Sequence, residues 1–216
     1  MDLNIARRKM IDCQIRPNDV TDESVIEAFE SIAKEEFVPK AMRDLAYSEM
    51  ELPTRGERRH WLARDLSKLL QAAEVAPTDF VLVIGAGEGY SAALLNEMAD
   101  TVIGMESSEE TVNRATEHMA ALGLDRVAFV EGDLSKGLAS EGPYDVIFVN
   151  GMVEYVPDAW LEQLSVGGRL AVVVSENGNG RARVYTKSEK SVSYHIEFEC
   201  TPPMLSEMHA EKGFVF

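Results

Sequence analysis

The apolar run Phe80-Val81-Leu82-Val83-Ile84 passes directly into Gly85-Ala86-Gly87-Glu88-Gly89-Tyr90-Ser91. Glycine adopts backbone angles closed to other residues and lets a ligand rest on bare main chain. Between a strand and a helix, such a turn suits a nucleotide-like ligand at the carboxyl end of a sheet. Two acids follow at useful places. Val102-Ile103-Gly104-Met105 ends in Glu106, about 20 residues beyond the turn, where a carboxylate can accept from both hydroxyls of a ribose. Val127-Ala128-Phe129-Val130 leads to Glu131-Gly132-Asp133-Leu134. There Asp133 either accepts from an adenine amino group, with Gly132 leaving room for the ring, or caps the helix that follows. Asn150, at the mouth of the strand Val146–Val149, either orients a substrate or forms a turn. The turn residues Gly85 to Tyr90, with Glu106, Ser107, Gly132, Asp133, Leu134 and Asn150, form the candidate binding set.

These residues need a scaffold that brings several strand ends together. Short apolar strands are expected at Phe80–Ile84, Val102–Met105, Val127–Val130, Val146–Val149 and Leu170–Val174. Helices are expected between them at Ser91–Ala99, Ser108–Leu122, Leu134–Ser140 and Pro157–Leu164. Continuous Val/Ile-rich runs alternating with helices imply a parallel sheet covered on both faces. Right-handed crossovers make it a doubly wound, Rossmann-like α/β fold. Before the sheet, residues 1–52 read as helical, with Val25, Ile26, Phe29 and Ile32 on one face and Pro39 as the stop. Leu52–His60 reads as an exposed loop and Trp61–Val75 as a second helix. After the sheet, Arg181–Thr186 and Ser191–Cys200 alternate like an antiparallel hairpin at one sheet edge. One domain over 1–216 is expected: a helical region at 1–76, a ligand-binding core at 77–175, and a hairpin with its tail at 176–216.

Composition narrows the function. The chain has 216 residues, 45% of them hydrophobic, and a formal charge of −16. That balance argues against a nucleic-acid partner, which wants a basic surface. No apolar run approaches the length of a membrane span, and no apolar segment follows the basic N-terminus, so a cytoplasmic protein without a membrane partner is expected. Cys13 and Cys200 lie far apart and show no metal-ligand spacing.

The spacing G-x-G-x-G separates this turn from the dinucleotide pattern G-x-G-x-x-G, because Tyr90 stands where the third small residue would pack. Class I methyltransferases use the tighter spacing. Asn18-Asp19-Val20-Thr21-Asp22, Glu35-Glu36-Phe37-Val38-Pro39 and Leu45-Ala46-Tyr47, together with Val81–Tyr90, resemble the protein-L-isoaspartate O-methyltransferase family over most of the chain. The resemblance implies S-adenosyl-L-methionine as cofactor and an isoaspartyl-containing protein or peptide as substrate. An acceptor carboxylate is already ionised at neutral pH, so no general base is required. One segment departs from the family. Its Ser/Thr-containing stretch, ending in proline and an aromatic residue, is replaced by Arg59-His60-Trp61-Leu62-Ala63-Arg64, with Trp61 in the place of the hydroxyl. The candidate catalytic residues are therefore Thr54, His60, Trp61 and Asn150. A methyltransferase with another acceptor, such as a small molecule, and a silent module that binds the cofactor are the alternative readings.

Overall fold

The computed structural model describes residues 2–56 and 58–209. Seven strands form one sheet: β1 (Phe80–Ile84), β2 (Thr101–Glu106), β3 (Val127–Glu131), β4 (Tyr144–Val153), β5 (Leu164–Glu176), β6 (Asn179–Lys187) and β7 (Val192–Glu199). Their spatial order is β3-β2-β1-β4-β5-β6-β7. The first five run parallel, and β6 is antiparallel to both of its neighbours. The chain turns outward in both directions from the β1–β4 pair, so a crevice opens at the carboxyl ends of these two strands. Ile84 pairs with Val149 there, which sets Gly85 beside Asn150.

Alternation along β1 divides the core. Val81 and Val83 pack on one face, against α2 (Glu23–Ser31), α3 (Ala63–Ala72) and α4 (Tyr90–Met98). Leu82 and Ile84 pack on the other, with Leu134, Trp160 and Leu205. The helix α5 (Glu109–Leu122) covers β2 and β3. Ser108 caps its start, and left-handed Gly123 ends it, as C-terminal glycines do.

Several expected boundaries shift. The N-terminal region is α1 (Leu3–Met10), a π-turn at Ile11–Ile15, then α2, which stops at Ser31 and not at Pro39. The helix expected at Leu134–Ser140 is one 3₁₀ turn, Leu134–Lys136. It stops because Gly137 takes φ +62, a value that breaks the helical run. The helix expected at Pro157–Leu164 shortens to α6 (Asp158–Glu162), and Leu164 already belongs to β5. The segment 52–60 is not an exposed loop. Pro53 and Arg59 form an antiparallel bridge, the His60 amide donates to the Leu52 carbonyl, and Leu52, Thr54 and His60 are buried. Backbone pairing folds this polar stretch down onto the sheet. Among the described residues, no helix is long and apolar enough to cross a membrane. Both cysteines are free, Cys13 exposed and Cys200 buried.

Candidate functional site at the glycine turn

The turn after β1 takes positive φ at Gly85 (+70), Gly87 (+61) and Gly89 (+93). The Gly85 and Ala86 amides both donate to the Met105 carbonyl, at 3.0 and 3.1 Å, which folds the turn over the end of β2. The Gly87 amide reaches the Glu106 carboxylate at 2.7 Å. The Asn150 side chain donates to the Gly85 carbonyl at 2.9 Å. Asn150 therefore ties the turn to β4 through one N–H of its amide.

Glu106 is the hub of the site and is almost wholly buried. Its Oε1 accepts from Gly87 N and from Arg58 Nε (3.0 Å); its Oε2 accepts from Ser107 N (3.1 Å) and from Arg58 Nη2 (2.8 Å). The guanidinium also donates to both oxygens of Glu207 at 2.8 Å, and Ser107 Oγ donates to Glu207 at 2.6 Å. Burial would lower the basicity of Arg58, but its bonds to the two carboxylates outweigh that and raise it. Burial would likewise raise the Glu207 carboxyl; the bonds from Arg58 and Ser107 prevail and bring it down to about 2.

The remaining sequence candidates fall into different settings. Glu88 is buried but points to Arg55 and Arg114, at 3.8 and 3.6 Å; burial raises its carboxyl, and the two arginines counter this. Asp133 caps the 3₁₀ turn, accepting from the Ser135 amide and hydroxyl at 3.1 and 2.6 Å. These bonds and the neighbouring Lys136 lower its carboxyl. A Cβ at Gly132 would stand 2.5 Å from the Met105 methyl, the end of a flexible side chain. Leu134 is buried, and its carbonyl accepts from the Trp160 indole. Tyr90 is a packing centre: its ring meets Phe37, His60 and Phe29 at centroid distances of 5.3, 5.6 and 6.3 Å. This explains a bulky residue after the last glycine, since Tyr90 ties the N-terminal region to the turn.

Among the catalytic candidates, Thr54 spends its hydroxyl on its own loop, donating to the Arg58 carbonyl and accepting from the Gly56 amide. Trp61 is buried, and its indole N–H has no partner among the described residues. The same holds for the Ser91 hydroxyl. Both residues line a crevice of about 310 Å³ between the 52–60 hairpin and the glycine turn. Sequence reasoning missed Arg58, Leu205, Glu207 and Ser91. Arg58 lies in a run of arginines within a strongly acidic chain, but no local pattern links it to Glu106.

His60 is buried, and its Nε2 lies 3.0 Å from the Phe37 carbonyl. Burial, then the charge of buried Lys34, lower its pKa to about 4, against the smaller opposing effect of the Phe37 bond. In the unfolded chain the imidazole takes its proton near pH 6.5. Between these values the unfolded state holds more protons, so His60 contributes stability above pH 6.5 that is lost as pH falls towards 4. The full effect is on the order of 3 kcal/mol. Urea unfolding of His60→Gln is expected to show a flatter stability profile between pH 6.5 and 4 than wild type. Parallel profiles would remove His60 as the cause.

With the site described, its relatives can be placed. The family model for protein-L-isoaspartate(D-aspartate) O-methyltransferase matches residues 6–202. A protein-L-isoaspartate O-methyltransferase of Koribacter versatilis (strain Ellin345) is 38% identical over 168 residues, 78% of this chain and 76% of the relative. One from Pelobacter propionicus, numbered 2 in that organism, is 32% identical over 194 residues, 90% of this chain and 86% of the relative. A solved protein-L-isoaspartate O-methyltransferase superposes with a TM-score of 0.80 at 25% identity, covering 94% of this chain and 67% of that one. The match runs through the N-terminal region as well as the glycine turn and the sheet. The chain belongs to the protein-L-isoaspartate O-methyltransferase family.

Proposed function

We propose that this chain transfers a methyl group from S-adenosyl-L-methionine to the free carboxylate of an isoaspartyl residue in a protein or peptide. The observation that carries the donor half is the 2.7 Å contact between the Gly87 amide and Glu106. It sets a strand-end carboxylate directly across from a glycine-rich turn, at the point where the strand order reverses. That donor set suits an adenosyl group: bare main chain at Gly85–Gly89, and Glu106 for the ribose hydroxyls. Arg58 and Leu205 cover these surfaces in this structure, and both must move to admit the group.

The bound donor would supply a methyl group activated by its own sulfonium charge. The protein's task is then to hold and desolvate the acceptor. His60 is a weak base, because burial lowers its pKa to about 4, and its Nε2 is held by the Phe37 carbonyl. No base is needed, since the acceptor carboxylate ionises on its own. The Trp61 N–H and the Ser91 hydroxyl, both without partners among the described residues and both at the crevice, are the candidate donors to that carboxylate. They stand in for the hydroxyl that the family's usual segment supplies. Alignment of this kind can be worth roughly 7–11 kcal/mol of the barrier.

Incubation with methyl-labelled donor and an isoaspartyl peptide is expected to give a base-labile methyl ester. The matching aspartyl peptide should give none. Donor binding without ester formation would overturn the isoaspartyl assignment and favour a different acceptor or a silent module.

A further inference from the structure

We propose that Arg58, Leu205 and Glu207 form a latch that occludes the donor cradle, so that the donor and the latch exclude each other. The inference rests on the donor reading of the glycine turn. A carboxylate offers about four acceptor positions. Those of Glu106 are filled by four donors, two of them from Arg58. The two main-chain donors are fixed, one in the glycine turn and one at the end of β2, so the arginine fork is the part that can give way to a pair of ribose hydroxyls.

The tail closes the rest. Leu205 lies on the main chain of both Gly85 and Gly151: a Cβ built at either glycine would stand 2.7 or 2.5 Å from its side chain. Main-chain bonds hold it there, from the Leu205 amide to the Met152 carbonyl and from the Met152 amide to the Pro203 carbonyl, each 2.9 Å. Glu207, 149 residues from Arg58, joins the two halves by gripping both the guanidinium and Ser107.

The parts are built to release together. Arg58 is the cation between two carboxylates. When it leaves, Glu106 and Glu207 face each other with like charge, and repulsion drives the tail out with Leu205. The Arg58–Glu207 half is partly exposed, with side chains 14% and 32% accessible, so it is the end that opens first.

The test uses the full chain and S-adenosyl-L-homocysteine as the probe, with calorimetry and amide hydrogen exchange. Glu207→Gln and Leu205→Ala are expected to tighten binding about tenfold or more over wild type. The Leu205 amide should be protected in the free wild type and lose protection at saturating probe. Glu207 is a surface residue, so its variant keeps the test open if Leu205→Ala unfolds. Equal affinities for wild type and Glu207→Gln would overturn the latch and leave the donor reading intact. A Leu205 amide unprotected in the free protein would overturn the latch as well. Absence of binding in every folded variant would overturn the donor reading, and the latch with it.

Discussion

Glu106→Ala is expected to lower the unfolding free energy by about 3–5 kcal/mol, the cost of breaking a buried ion pair and stranding the amides that the carboxylate held. For a chain of this size that corresponds to a fall in Tm of roughly 6–20 °C. Two effects combine. The substitution strips the Gly87 and Ser107 amides of their acceptor, and Gly87 N–H is buried. It also leaves the Arg58 guanidinium with Glu207 alone. Arg58→Ala should cost less, because the two main-chain bonds to Glu106 survive. The double variant should be less destabilised than the sum of the singles, by about 1–3 kcal/mol, since either single substitution already breaks the Arg58–Glu106 bonds. Thermal and urea unfolding of all four proteins would measure this. Strict additivity would show that Arg58 and Glu106 do not meet in solution, and the latch would lose its central contact.

The parts of this site that the sequence revealed are those encoded within a few residues of one another. Phe80–Ile84 followed by three alternating glycines fixes a strand, a turn and a helix start together, and the structure has all three. Glu106 was legible because an acid ending a second apolar strand must lie near the first strand's exit once the two pair in parallel. Asp133 was legible only as an alternative between ligand and cap, since the same side chain serves either role; here it caps. The 52–60 stretch misled because its polarity describes its side chains, whereas its fate is set by the main-chain bridge between Pro53 and Arg59. Arg58 and Glu207 were beyond reach for a different reason. Nothing local relates two residues 149 apart, and only the finished sheet, with the tail laid against the end of β4, brings Glu207 to the guanidinium that also binds Glu106.

Gly87→Val is expected to abolish donor binding, a loss of at least a hundredfold by calorimetry, with the fold retained. A valine at φ +61 adopts a conformation that side chains with a Cβ disfavour by about 1–2 kcal/mol, and β-branching stiffens it further. Its Cβ would point at the crevice, where it meets only the Arg58 Cγ and Cβ at 3.4 and 3.6 Å. On the proposed reading an adenosyl group rests in that space, so the substituent competes with the ligand and not with the core. Gly89→Val provides the contrast from the same turn. Its Cβ would stand 2.7 Å from the Met119 methyl and 2.8 Å from the Phe129 ring, both packed against the core, so this variant should lose stability first. Equal donor affinity in wild type and Gly87→Val would place the ligand elsewhere. Bare main chain at Gly87 would then serve only to bring the turn within reach of Glu106.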